Sequence, residues 1–190
     1  RLGKGADGYL WEGEGWIGGD INRFAFKTEG EGEVDSRLES AEVQALYSRA
    51  IDPWFNLEAG VRHDFRPDPD RSYAVVGIEG LAPYWFEVGA QAFLSTKGDA
   101  HLRLEASYDQ RITQRLILQP AAELNIAAQD VPELGTGSGL SDMELGLRLR
   151  YEFAREFAPY VGVNWERKIG DSARFARAEG EGASVASLVM

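Results

Sequence analysis

The chain has 190 residues, 31 acidic against 20 basic side chains, a formal net charge of −11 and no cysteine. Its 44% hydrophobic and 11% aromatic content excludes disorder, and no run nears the roughly 18 consecutive apolar residues of a spanning helix. Disulfide, thiolate-zinc and cysteine-nucleophile chemistry are excluded with the cysteines, and the acidic balance suits cations rather than a nucleic-acid backbone.

Eleven runs of period-two alternation follow one another, near 9–18, 22–33, 41–50, 55–65, 72–80, 85–96, 101–110, 115–128, 142–152, 158–168 and 182–190. In the first, Gly13-Glu14-Gly15-Trp16-Ile17-Gly18 matches a dinucleotide fingerprint literally. It lies inside an alternating strand, so the glycines read as packing or bending positions. In the fourth, Phe55, Leu57, Ala59 and Val61 alternate with Asn56, Glu58, Gly60 and Arg62. The same pattern sets Phe86, Val88, Ala90, Ala92 and Leu94 against Glu87, Gly89 and Gln91, and Met143, Leu145, Leu147 and Leu149 against Glu144, Gly146, Arg148 and Arg150.

Most runs cover roughly ten residues, the length of a tilted strand crossing hydrocarbon. Their polar faces mix Glu, Arg, Asn, Gln and Gly, as a wet lumen does. Connectors alternate between tight, proline- or aromatic-marked turns (Ile51 to Trp54, Leu81 to Trp85, Arg111 to Arg115, Ala154 to Pro159) and longer polar loops (Gly30 to Ser40, Arg66 to Arg71, Thr96 to Ala100, Asp130 to Asp142, Gly170 to Gly182). Trp54, Phe55, Tyr84, Trp85, Phe86, Phe153, Phe157 and Tyr160 cluster beside the tight turns as one interfacial girdle, with Tyr73 and Trp165 expected in the other. The pattern predicts an all-β, antiparallel up-and-down transmembrane β-barrel forming a single domain over 1–190. It would have about twelve strands, or ten if an edge run is not a strand. Even parity asks for one strand upstream, with Arg1-Leu2-Gly3 as its tail and Gly5-Ala6-Asp7 as the turn. The alternative is a soluble lipocalin-like barrel or β-sandwich.

Chemistry-bearing motifs are sparse. Thr136-Gly137-Ser138-Gly139 does not fit the spacing of a nucleophile elbow. Neither His63, on the lipid-phase set, nor His101 has a serine at a spacing that implies contact, which weakens an outer-membrane hydrolase reading. Arg66-Pro67-Asp68-Pro69-Asp70 has the first carboxylate spacing of a calcium loop without its glycine or closing Glu, and turn chemistry explains it. Six carboxylates, Glu29, Glu31, Glu33, Asp35, Glu39 and Glu42, crowd the first long loop against Arg37. They read as a solvated loop or as an acidic mouth that concentrates cations. With two Met and two His in all, tight binding of a soft metal would have to combine His63, His101 or Met143 with carboxylates.

Several long blocks carry a resemblance. Trp11 to Arg23 reads WEGEGWIGGDINR, and Lys27-Thr28-Glu29-Gly30-Glu31 follows it. Further blocks are Glu42 to Arg49, Gly80 to Glu87, Gln114 to Pro120, Gly137 to Asp142, and Phe157 to Tyr160 with Trp165-Glu166-Arg167. Together they resemble the bacterial copper resistance protein B family over nearly the whole chain. The resemblance implies an outer-membrane barrel that handles or conducts copper ions, transported or transiently bound, as a monomer. A periplasmic copper-binding protein and a multicopper oxidase would be its partners. Family members carry a Met- and His-rich N-terminal segment credited with copper binding, and no such run stands in these residues. The family's closing strand ends in an aromatic residue, against Leu188-Val189-Met190 here. On this reading Glu12, Glu14, Asp20, Glu29, Glu58, Glu87, Glu105, Glu123, Glu144 and Glu166 at mouth and lumen attract the cation. Arg62, Arg103, Arg148, Arg150 and Lys168 pair with them and narrow the pore. No covalent chemistry is expected, and the rival role is a non-conducting anchor or docking barrel for periplasmic copper-binding partners.

Overall fold

The computed structural model describes residues 8–33, 38–66, 70–153, 158–178, 180 and 182–189. It is one antiparallel sheet in chain order: β1 (Gly8–Gly18), β2 (Asn22–Glu33), β3 (Leu38–Ala50), β4 (Phe55–Arg66), β5 (Arg71–Ala82), β6 (Phe86–Ser95), β7 (Ala100–Tyr108), β9 (Leu116–Ala127), β10 (Gly139–Tyr151), β11 (Tyr160–Lys168) and β12 (Ser184–Val189). A two-residue piece, β8 (Gln110–Arg111), pairs with β9 beside the end of β7. Each alternating run has become a strand, paired residue by residue with its neighbour. The extra strand expected upstream falls on residues 1–7, outside the described residues.

The two faces of the sheet differ in kind. Side chains on strands far apart in the sheet order meet on one face: Arg103 of β7 reaches Glu42 of β3, and Arg148 of β10 reaches Glu12 of β1 at 3.9 Å. Only a concave face allows that, so this face is the lumen and the sheet wraps on itself. Ala25, Leu46, Tyr73, Val75 and Phe93 form a buried cluster inside it. Leu46 is only 1% exposed, while Phe24, Phe26, Val43, Tyr47, Leu57, Val61, Val76 and Leu94 stand exposed on the opposite face. Such a continuous apolar wall is costly in water and suits hydrocarbon. Tyr73 therefore corrects an expectation. It faces the lumen, packed edge-on against Phe93, because the odd positions of β5 are the inward ones. Trp165 faces outward, and its indole N–H donates to Ser184 Oγ at 2.9 Å.

Local chemistry explains the connectors. Between β5 and β6, Pro83-Tyr84-Trp85 makes a single 3-10 turn in which Tyr84 and Trp85 have φ of 67° and 68°. Left-handed backbone costs roughly 1–2 kcal/mol per non-glycine residue, and here it drives two aromatic rings outward, with Trp85 edge-on to Trp54. The loop expected over Gly170 to Gly182 contains a helix, α1 (Gly170–Ala178), whose Ser172, Ala173 and Ala176 are buried. Asp171 and Arg174 pair at 3.1 Å on its exposed side. Its nine residues fall short of the roughly 11–18-residue window in which a helical period is read from sequence.

Leu46→Ala should lower the unfolding free energy by about 2–4 kcal/mol, the range for emptying a buried leucine site. Urea unfolding in lipid vesicles checks this, and a change below about 0.5 kcal/mol would show that the lumen cluster is not close-packed.

Candidate functional site

Two ionic assemblies cross the bore. Nearer the tight turns, Lys27 Nζ of β2 lies 3.4 Å from Glu58 Oε2 of β4 and 3.0 Å from Glu79 Oε2 of β5. Arg23 Nη2 reaches Glu79 Oε1 at 3.3 Å, and Gln91 donates to Glu58 at 3.2 Å. Nearer the long loops, Arg62 binds Glu42 at 2.7 Å and Asp64 at 2.6 Å. Arg103 reaches Glu42 at 3.5 Å and Glu123 at 3.3 Å. The two guanidinium groups lie over the same Phe93 ring, at 5.0 and 5.7 Å, and Arg62 also lies over Tyr73. Removing these ions from water is expensive unless each is paired, and stacking on rings recovers part of that cost. On this side, walled by β2 to β7, Leu46, Glu58, Tyr73 and Phe93 are buried and the ions are paired.

The other half is lined by carboxylates in register. Glu105, Glu123, Glu144 and Glu166 stand directly opposite one another across β7, β9, β10 and β11. On the β1 to β3 side Glu12, Glu29 and Glu42 also stand opposite one another, and there Glu42 is bound by Arg62 and Arg103. Like charges directly opposite destabilise a sheet, and the relief is local. Asn125 donates to Glu123 and to Asp142, each at 2.8 Å, Asn164 donates to Glu144, and Arg103 sits between the two rows. Glu12, Glu14, Glu29, Glu87 and Glu105 remain exposed to the bore, while Glu58 is buried.

The remaining expected residues are distributed as follows. Glu14 lies opposite Lys27. Asp20 is exposed in the β1–β2 turn, and Glu87 accepts from Ser107 Oγ at 3.2 Å. Arg148 lies over Tyr160, Arg150 binds Asp109 at 2.9 Å and Glu152 at 3.6 Å, and Lys168 stands opposite Asp142. Of the acidic first loop, Glu29 and Glu42 are lumen residues. Asp35 and Arg37 lie outside the described residues, as do the side chains of Glu31, Glu33 and Glu39. Lys27, Arg23, Glu79 and Asp64 were not singled out from the sequence. Their parity places them inward, but which strands meet across the bore depends on its curvature, which no single strand encodes.

Comparison with known proteins bears on what this lumen serves. The family described as "Copper resistance protein B precursor" matches residues 1–190. The chain belongs to the copper resistance protein B family. It is 50% identical over 173 residues to Copper resistance protein B of Escherichia coli, covering 91% of the chain and 58% of that protein. It is 46% identical over 180 residues to Copper resistance protein B homolog of Pseudomonas syringae pv. tomato, covering 95% of the chain and 61% of that protein. The chain thus spans about three fifths of the length of these curated relatives. Among solved structures a NanC porin superposes with a TM-score of 0.63 at 12% identity, over 97% of this chain and 92% of that one. That likeness shows the β-barrel fold. This family member is an outer-membrane barrel, and no helix among its described residues is long and apolar enough to span a membrane.

The three soft-metal candidates of this family member are not brought together. His101 faces the lumen, 5.1 Å from the Tyr73 ring centroid, whereas Met143 and His63 face outward from β10 and β4. No group of three or more His, Cys, Asp or Glu among the described residues forms a ready-made metal site. His63 does touch a serine, contrary to the spacing argument. It lies opposite Ser72 across the β4–β5 pair, Nδ1 and Oγ share a hydrogen bond at 2.9 Å, and Nε2 lies 3.9 Å from Asp70. Ser72 sits within the ladder between β4 and β6, where neighbouring strands consume the backbone N–H groups. The contact satisfies two polar groups on the lipid-facing wall, and among the described residues no oxyanion-binding pair stands beside it.

At the long-loop mouth the buried Arg71 clasps two loops, binding Asp99 of the β6–β7 turn and Glu133 of the β9–β10 loop, the latter at 2.9 Å. Lys97 adds a contact to Glu133 at 3.0 Å. The far side of the β9–β10 loop is tied to α1, where Gly137 N–H donates to Ser172 Oγ at 2.7 Å. Asp130 accepts from the Ser138 N–H, which holds its carboxyl below the ordinary value of 3.8. The hydrogen bond from Lys97, its charge and then Arg71 hold Glu133 below its ordinary 4.5. A depressed carboxylate strengthens the folded loop above its ordinary value and loses that contribution as pH falls through the depressed one. Hydrogen exchange over residues 128–138, corrected for the intrinsic amide rate at each pH, should therefore be slow at pH 7 and accelerate on acidification below the carboxylate range. Glu133→Gln should accelerate it already at pH 7. Unchanged exchange in that variant would remove the clasp as the loop's tether.

Proposed function

We propose that the 190 residues act as one monomeric barrel domain that conducts copper ions across the outer membrane, with copper as cargo rather than a resident cofactor. The observation that carries this reading is the register of Glu105, Glu123, Glu144 and Glu166, faced by Glu12, Glu29 and Glu42. Four carboxylates at successive cross-strand positions keep negative charge inside the barrel, with Arg103, Asn125 and Asn164 relieving part of their mutual repulsion. Retained carboxylates in a narrow, low-dielectric passage raise the local cation concentration. Glu14, Asp20, Glu58 and Glu87 extend the acidic lining toward the tight-turn end, while Arg62, Arg103, Arg148, Arg150 and Lys168 narrow it. Oxygen donors with few imidazoles and thioethers favour the divalent ion over copper(I). His101 is the one lumen-facing imidazole among the described residues, so it is the nitrogen ligand such an ion would meet, while His63 and Met143 would take part only from the outer wall. A periplasmic copper-binding protein or multicopper oxidase would receive or supply the ion. No covalent step belongs to this reading.

The Arg103–Glu42 bridge supports a second reading, a non-conducting anchor for those periplasmic partners, because it spans the bore. Copper(II) uptake into proteoliposomes separates the two. The conducting barrel should exceed protein-free vesicles, and Glu123→Gln with Glu144→Gln should lower uptake about fivefold, from roughly 1 kcal/mol of lost attraction. Uptake equal to empty vesicles, with capture of the periplasmic partner intact, would replace the channel by the anchor.

A further inference from the structure

Among the described side chains, the outward faces of the strands carry only two charges and no carboxylate. Arg49 stands near the tight-turn end of β3 and Arg167 near the long-loop end of β11. A cation on a lipid-facing wall is costly at mid-depth and tolerable at the rim, where it reaches the headgroups. Arg49 is exposed and has no carboxylate partner among the described residues.

Its surroundings are arranged for an anion with an apolar tail. Directly opposite Arg49 on β2 is Asn22, and on β4 is Leu57. The Tyr47 hydroxyl donates to Asn22 Oδ1 at 2.7 Å, which fixes the amide and leaves its Nδ2 donor unspent at the position directly opposite Arg49. Phe24, packed edge-on against Tyr47 at 5.6 Å, and Leu57 continue from these donors into the apolar wall, both about half exposed. A planar guanidinium fork next to an amide donor matches phosphate oxygens, and the rings below match an acyl chain.

We propose that Arg49 and Asn22 form a binding site for the phosphate of an anionic phospholipid in the leaflet on the tight-turn side. The class of headgroup follows from the wall itself. The outward strand faces hold no carboxylate among the described side chains, so the amine of a zwitterionic headgroup would meet only Asp20 and Asp52 of the adjacent tight turns. Asp52 Oδ1 already accepts from the Trp54 and Phe55 N–H groups. A lipid whose only headgroup charge is the phosphate is the better match.

Native mass spectrometry of the detergent-solubilised barrel, titrated with phosphatidylglycerol, phosphatidylethanolamine or glycerol phosphate, tests this. The unaltered chain should retain one phosphatidylglycerol. Arg49→Gln should weaken that retention about tenfold, the scale of one charge-assisted hydrogen bond. Asn22→Ala should weaken it less, and Arg167→Gln at the opposite rim should leave it unchanged. Should Arg49→Gln fail to fold, Arg49→Lys keeps the charge without the fork and should also hold the lipid more weakly. Undiminished retention in the folded Arg49 variant would overturn the site. So would equal retention of phosphatidylethanolamine, or binding of glycerol phosphate as tight as the lipid, which would make it a free-phosphate site.

Discussion

A strand that crosses hydrocarbon must give every backbone N–H and C=O to a neighbouring strand, because the solvent there offers nothing in exchange. The copper resistance protein B chain meets this constraint with a continuous antiparallel ladder in chain order. Everything else follows from the wrapping that the ladder requires. A sheet that wraps has a convex face, which here is almost free of charge, and a concave face, where polar side chains are forced into proximity. The inward residues therefore cannot be independent. Arg103 meets Glu42 from strands four places apart in the sheet, and Lys27 meets carboxylates of both β4 and β5.

The interior is divided unevenly by this crowding. On the β2 to β7 side, aromatic rings, Leu46 and paired guanidinium groups occupy the space. On the side of β9 to β11, carboxylates stand in cross-strand rows, held by Asn125, Asn164 and Arg103. The two sides meet the crowding differently: paired ions and close packing brace one, while amide donors and Arg103 relieve the carboxylate rows of the other.

Much of this was legible in the sequence, and the limits are physical. Alternation alone placed eleven strands to within a few residues, because a half-buried strand cannot lose its period without exposing the wrong face. It also assigned Glu58, Glu105, Glu123, Glu144 and Glu166 to the lumen and His63 to the outer wall. Tyr73 was misplaced because aromatic identity was weighed above parity. The His63–Ser72 contact was missed because spacing along the chain says little about register across a hairpin. Neither the Arg71 clasp nor α1 was foreseen. The clasp joins residues far apart in the chain, and the helix is too short for its pattern to stand out. The pairing of Lys27 with Glu79 likewise depends on curvature summed over several strands.

The Pro83-Tyr84-Trp85 turn has a consequence for how the barrel is assembled. Two successive left-handed residues are tolerable only where proline fixes the entry and both rings have somewhere to go. A β5–β6 hairpin displaced by one residue would move the strain onto Pro83 or Phe86 and exchange the lipid and lumen faces of both strands at once. The strained turn thus works as a registration mark, making the shifted hairpin the less stable one before the rest of the wall has formed.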